Sequence, residues 1–317
     1  MNWRPTASIA EIKARAQLLA GLRAFFSERD VLEVDTPLLC SAGVTDPAIE
    51  PLVVDRGVSL QRSRFLQTSP EYAMKRLLAA GSGPIYQIAK AFRDGEVGSR
   101  HNPEFTLLEW YRPQYDHHQL MAELAELVCH VLGERRWQKV SYRELFSAQL
   151  ALDPFTASIE QLRETAMNRL DLSFSTGDRD LWLDVLMSHL IEPQLAKMGM
   201  CFVYDYPASQ AALSRVVRVE GVDVGQRFEL YIDGMELANG YCELTDAAEQ
   251  ERRFLADNDK RRHQGLAEKP LDNNLLAAMS HGLPKCSGVA VGIDRLLMLL
   301  TGNTHIRDVL AFDWQRC

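Results

Sequence analysis

Apolar and polar positions are patterned most sharply over residues 85–113. There an apolar stretch (85–91), a charged loop with Arg93, Asp94, Glu96, Arg100 and His101, and a second extended stretch predict a hairpin with a charged tip. Successive side chains of a strand point to opposite sides. Phe105, Leu107, Glu109 and Tyr111 therefore share one face of the returning strand, and Thr106, Leu108 and Trp110 the other. A carboxylate and a phenol set between apolar neighbours need a ligand or a partner to satisfy them. Cations at the tip with polar groups on the flank suit a substrate bearing both a phosphate and an amine.

The rest of the chain punctuates cleanly. Ser8 and Glu11 form an S-x-x-E start, and Ile9, Ile12, Leu19, Leu22 and Phe26 recur at helical spacing, so a helix runs to about residue 28. A short strand at 31–34 ends at Thr36-Pro37; proline cannot donate to a ladder, which puts that strand at an edge or an interface. After a small polar loop (41–47), extended segments are expected near 51–54 and 58–67. Ser69 then caps a helix, with Pro70 at its first position and Glu71 at the positive end of its dipole. Another helix is expected over 117–132. Residues 140–200 read as two or three further helices with no evident site.

Asp233-Gly234 is a two-residue hairpin turn inside residues 227–243. It pairs Ile232 with Met235, Tyr231 with Glu236 and Phe228 with Asn239. Glu229 and Glu236 then lie diagonally on one face, at roughly 7–8 Å between backbones. Two such carboxylates either face water on an edge or share a cation, and oxygen-only ligands suit magnesium on phosphates better than zinc. Strict alternation turns Asn239 and Glu243 away, and a bulge at 238–240 would rotate them back. Residues 246–263 read as a charged, solvated helix. Residues 286–295 read as a strand of small residues running into a helix opened by Arg295, a side chain suited to phosphate or to stacking on a base.

With 317 residues and 46% hydrophobic content the chain can bury a large core. A net charge of −8 disfavours polyanion binding. Six scattered cysteines without metal-type spacing read as reduced core thiols of a cytoplasmic protein. No apolar leader or bilayer-length run is present, so no membrane partner is expected.

FRDGEVGSRHNPEFTLLE (92–109), GVAVGIDR (288–295) and Pro37 after a helix and short strand resemble the three signature motifs of class II aminoacyl-tRNA synthetases. SPE (69–71), HNPEFTLLEWY (101–111), ELANGYCELTD (236–246) and IRDVLAF (306–312) are similar to the lysyl-specific branch. The first helix begins within ten residues of Met1, leaving no room for the anticodon-binding barrel of lysyl-tRNA synthetases. The better match is the branch of freestanding paralogues that place β-lysine on a lysine side chain of elongation factor P. The resemblance implies an α+β fold, an antiparallel sheet flanked by helices in one catalytic domain over 1–317, with a helical section at about 140–200. It also implies ATP and magnesium as cofactors, lysine or β-lysine as substrate, elongation factor P as acceptor rather than tRNA, and a homodimer through the strand ending at Pro37.

Carried over residue by residue, the resemblance makes Arg93 and Arg295 the catalytic arginines. Arg93 would meet the substrate carboxylate and α-phosphate; Arg295 would stack on adenine opposite Phe105 and reach the γ-phosphate. Asp94, Gly95, Glu96, His101, Asn102, Glu236, Leu237 and Gly292 complete the ATP set, and Glu229 and Glu236 match the magnesium positions. Ser69, Pro70, Glu71, Glu109, Tyr111, Asn239, Tyr241, Glu243 and Ala290 match the amino-acid pocket. Two departures stand out: the glutamate that reads adenine is displaced to Glu96, leaving Gly95 in its place, and Ala290 stands where lysyl-tRNA synthetases have glycine. A truncated tRNA-charging enzyme and an inactive regulatory paralogue are the alternatives.

Overall fold

Ser8 accepts the amide of Ala10 and opens a helix whose buried residues, Leu18, Leu22, Phe25 and Phe26, form its inner stripe. The helix stops where Asp30 takes a positive φ of 52°. A computed structural model describes residues 3–55, 62–173 and 176–317. In chain order its elements are α1 (Ile9–Ser27), β1 (Leu32–Glu33), β2 (Leu39–Cys40), β3 (Val53–Val54), β4 (Arg64–Leu66), α2 (Glu71–Ala79), β5 (Ile85–Phe92) and β6 (Glu104–Pro113). Next come α3 (His117–Leu132), β7 (Trp137–Ser141), α4 (Tyr142–Leu150), α5 (Ile159–Met167), α6 (Arg179–Leu186), a π-helical turn (Met187–Ile191), α7 (Glu192–Leu195), β8 (Met200–Pro207), β9 (Val216–Val219), β10 (Val222–Ile232) and β11 (Met235–Cys242). The last are α8 (Ala247–His263), α9 (Asn273–Gly282), β12 (Cys286–Gly292) and α10 (Ile293–Thr301).

Backbone proximity divides the chain into two units, Met1–Gln114 with His130–Leu132 and Thr245–Cys317, and Tyr115–Cys129 with Gly133–Leu244. Each is a mostly antiparallel sheet flanked by helices, the α+β arrangement that the motifs implied. In unit 1 the strands run β1-β5-β6-β12, with β1 parallel to β5 and the others antiparallel. Phe26 of α1 stacks on Tyr86 at 4.4 Å and meets Trp110 edge-on at 5.3 Å, which ties the first helix to both central strands. In unit 2 the order is β11-β10-β8-β7, β9 also pairs with β10, and Trp182, Leu183, Leu186 and Ile191 pack against Cys201, Val203 and Tyr231 of the sheet.

Several expectations shift. Helix α2 starts at Glu71 with Pro70 as its cap, one residue later than expected. Of the extended stretch at 58–67, residues 58–61 lie outside the described residues and 64–66 form β4. Among the described residues, four α-helices and the π-helical turn lie in 142–195, more than the two or three expected, because the left-handed Ala151 ends α4 and Ser158 and Asp178 cap new starts. Strands β7 and β8 flank them unannounced.

Helix α8 is not simply a solvated face, since Gln250, Phe254, Asn258 and Arg261 form a buried stripe at spacings of four and three residues. The cysteines are free among the described residues, but only Cys201, Cys242 and Cys286 are buried, and Cys317 is exposed. No helix among the described residues is long and apolar enough to cross a membrane.

The β10–β11 hairpin corrects the expected register. Asp233 and Gly234 take φ values of 51° and 77° and make the turn, and Ile232↔Met235 and Tyr231↔Glu236 pair as predicted. Leu230 then pairs with Ala238, so Leu237 is the extra residue of a bulge. Glu229 therefore faces Asn239, and Phe228 faces Gly240 instead of Asn239. A Cβ on Gly240 would run into the Phe228 ring, so packing forces this pairing.

Candidate active site

Unit 1 brings together the acidic half of the expected amino-acid pocket. Ser69 accepts the Glu71 amide at 3.2 Å and donates its hydroxyl to Glu109 Oε2 at 2.5 Å, and Tyr111 donates to Glu109 Oε1 at 2.6 Å. Glu109 is 2% exposed, so these hydroxyls replace the water that a carboxylate loses on burial. Glu109 and Tyr111 meet because they sit two residues apart on one strand face. Ala290 of β12 stands opposite Glu109 in the register, which puts its methyl group beside that carboxylate. Glu71 is held from behind by Lys75, one helical turn later and buried, with Nζ 2.6 Å from Oε1. Lys75 was missed in the sequence, although the i,i+4 spacing could have revealed the pair.

At the hairpin tip, the Arg93 amide donates to the Pro103 carbonyl at 2.9 Å and closes the loop. Its guanidinium lies 5.1 Å from the Phe105 ring centroid and 3.4 Å from the Glu96 carboxylate, while its buried Nε has no partner among the described residues. The displaced Glu96 thus reaches Arg93, and the Phe105 face expected opposite Arg295 carries Arg93.

Arg295 donates to the Arg100 carbonyl at 3.3 Å and to His101 Nε2 at 2.7 Å. Arginine cannot accept, so the His101 ring is neutral at Nε2. Burial against the loop, then the charge of Arg295, lowers its pKa below the ordinary histidine value. Asp94 and Gly95 are exposed, with Gly95 at a φ of +77°. Asn102, expected to contact ATP, is turned inward. Its amide donates to the Glu104 carbonyl at 2.6 Å and accepts from the Trp314 amide at 3.0 Å.

Gly292 ends β12 opposite Leu107, just before α10. Asp294, at the start of that helix, accepts the Thr106 amide at 2.7 Å and pairs with Arg15 of α1, so helix and strand are fixed to each other beside Arg295.

Unit 2 gathers donors around Glu229. Tyr206 of β8 donates to it at 2.7 Å, Tyr231 at 2.6 Å, Arg227 at 2.5 Å and the Asn239 amide at 3.3 Å. Arg227 also stacks on the Tyr206 ring, 4.6 Å from its centroid. Burial, then the Glu229 charge, raises both phenols well above the usual tyrosine value and keeps them protonated donors. Burial pulls the Arg227 pKa down, but Glu229 outweighs it and the net shift is upward. Tyr206 and Arg227 were missed because no strand was expected at 200–207 to pair with β10.

The bulge at Leu237 brings Asn239 and Tyr241 onto the Glu229 face, opposite Glu229 and Arg227 respectively. Glu236 stands opposite Tyr231 on the same face, Leu237 is buried, and Glu243 is buried where the chain bridges to Ser214.

No group of three His, Cys, Asp or Glu side chains among the described residues forms a ready-made ion site. The donor chemistry nevertheless fits a hard cation. Two carboxylates share a strand-pair face with Asn239 Oδ1, a buried oxygen without a hydrogen-bond partner among the described residues.

The family model for class II tRNA synthetases (D, K and N) matches residues 1–316, and the chain belongs to that family. Among its relatives, the protein named elongation factor P--(R)-beta-lysine ligase of Pseudoalteromonas translucida (strain TAC 125) is 49% identical over 319 residues, covering 99% of this chain and 98% of that protein. The proteins of the same name from Edwardsiella ictaluri (strain 93-146) and Salmonella gallinarum (strain 287/91 / NCTC 13346) are each 48% identical over 321 residues, with the same coverage.

Proposed function

We propose that this chain is an ATP-dependent, AMP-forming ligase that activates β-lysine, or lysine, as an aminoacyl-adenylate. It then transfers the acyl group to a lysine side chain of elongation factor P, in the cytoplasm, as one catalytic domain over 1–317. The observation that carries this reading is the face of β6: Phe105, with Arg93 against it, and Glu109 and Tyr111 lie on one side of one strand. Glu109 lies four positions beyond Phe105, roughly 13 Å of strand, which suits a nucleotide at one end and an amine at the other.

In the first step a carboxylate oxygen attacks the α-phosphorus, the α–β phosphoanhydride bond breaks and pyrophosphate leaves. Arg93 orients the carboxylate and stabilises charge at phosphorus, and Arg295 holds the polyphosphate end. Glu71 and Glu109 receive the ammonium groups. In the second step the acceptor amine attacks the carbonyl carbon, AMP leaves and an amide forms with loss of one proton from nitrogen. Glu229 and Glu236 would hold magnesium, which supplies charge neutralisation on the phosphates.

The acceptor is a protein rather than tRNA, and the active form is a homodimer through the strand before Pro37. Exposed Leu32, Leu38 and Leu39 support that edge as a contact. ATP–pyrophosphate exchange with lysine and β-lysine, followed by transfer to tRNA or to elongation factor P, tests the reading. Exchange with neither amino acid, or transfer to tRNA alone, overturns it.

A further inference from the structure

The segment between the first two motifs is bound to the far end of α8 by a cluster of charges that the chemistry above does not use. Glu50 accepts from Arg261 at 2.5 Å through Oε2 and from Lys269 at 2.5 Å through Oε1. The Arg261 side chain is fully buried and that of Lys269 is 4% exposed. Arg261 also donates to the carbonyls of Ala267 at 2.7 Å and Asp46 at 3.3 Å, and Thr45 donates to Asp257 at 2.9 Å.

Asn258 makes paired 2.9 Å hydrogen bonds with the Lys269 backbone, which fixes that lysine to the helix. Segment 45–50 is thereby stapled to α8 at three residues. Burial pushes the Glu50 carboxyl up, but its bonds to Arg261 and Lys269 outweigh this and hold it below the usual carboxylate range. The carboxylate therefore stays ionised at neutral pH.

The same residue has a second contact. The main-chain carbonyl of Glu50 accepts the amide of Asp94 at 2.8 Å, the first residue after Arg93. Glu50 thus joins two immobilised cations to the root of the charged loop. Along the chain, the Arg93 backbone is flanked by the Phe92 amide on the Gln67 carbonyl and the Asp94 amide on the Glu50 carbonyl, both within 2.9 Å. The first anchor belongs to a sheet strand's end, whereas the second sits on a loop that the ion cluster, with the Thr45 and Asp46 contacts, ties to α8.

We propose that Glu50, Arg261 and Lys269 are positioning residues that clamp the loop root and so set where the Arg93 guanidinium stands during adenylate formation. Removing a clamp charge lets segment 45–50 shift, and the Asp94 amide shifts with it. Reaction needs the arginine within a fraction of an ångström of the developing charge, so turnover falls more than binding. The inference rests on Arg93 acting at the phosphate, as in the function proposed above.

The test compares Glu50→Gln, Lys269→Met and Lys269→Arg in the full-length protein, with Arg93→Ala as control. Its readouts are ATP–pyrophosphate exchange per folded molecule and amide hydrogen exchange of residues 93–96. Glu50→Gln and Lys269→Met are expected to lower kcat at least tenfold, to leave the amino-acid KM within twofold, and to speed exchange at 93–96. Lys269→Arg should return kcat to within threefold of the unaltered protein.

Lys269→Met leaves Arg261 on Glu50, so one variant stays folded if Glu50→Gln does not. Unchanged kcat in a folded variant, or faster hydrogen exchange confined to 258–269, overturns the clamp. Undiminished turnover in Arg93→Ala would instead overturn the role of Arg93 itself.

Discussion

In the β5–β6 hairpin eight successive residue pairs, Ile85↔Tyr111 to Phe92↔Glu104, keep a single register. The β10–β11 hairpin keeps its register for two pairs beyond the turn and then loses one residue at Leu237. Both strand pairs carry acidic site residues, but they place them by different rules. On β6 plain alternation delivers Phe105, Glu109 and Tyr111 to one side. On β11 alternation alone would send Asn239 and Tyr241 away from Glu229, and the bulge returns them. Buried bulk decides where the slip falls, because only glycine fits across from the Phe228 ring. A regular strand thus lends its face to a site directly, whereas a bulged one re-aims part of its length toward it.

The regular hairpin should be robust in fold and fragile in chemistry at its tip. Arg93→Ala is expected to lower ATP–pyrophosphate exchange by about a hundredfold or more. Its circular dichroism and melting temperature should stay near those of the unaltered protein; undiminished exchange in the folded variant would remove Arg93 from the reaction.

The bulged hairpin should show the reverse. Gly240→Ala forces a methyl group into Phe228 and is expected to cost about 1–3 kcal/mol, read as a lower melting temperature. An unshifted melting curve would mean that packing does not fix the register. Tyr231→Phe removes one of the four donors on Glu229 and should cost about 1–2 kcal/mol of stability, since Tyr206 and Arg227 stay bound. A loss well beyond that would mark the tyrosine as the principal support of the carboxylate.

The smallest effect expected is that of pH at the first tip. The folded pKa of His101 is lowered, so its contact with Arg295 is fully present above the unfolded histidine value and is lost as pH falls through the folded one. The KM for ATP should rise over that acid range and stay flat in His101→Gln. The same acid rise in the variant would assign the titration to another group.

Much of the candidate site was legible because its residues are written in local strings. The first hairpin's alternation, the Asp233-Gly234 turn and the helix over 117–132 follow from spacing and turn chemistry alone. Other features depend on partners far away in sequence. Arg261 reads as one more charge on a polar helix, and nothing near it announces that Glu50, 211 positions earlier, will take its charge into the interior. Asn102 sits in a motif string yet turns inward to meet the backbone of Trp314.

By itself the sequence determined the two hairpins and the helices beside them, the family and the kinds of side chain available for the two substrates, because periodicity, turn residues and motif order are properties of the chain. Tertiary structure alone decided that the β11 register slips at Leu237, that Tyr206 and Arg227 enclose Glu229, and that Glu50 roots the arginine loop. Those outcomes depend on which groups must share a buried volume, and close packing settles them only when distant segments meet.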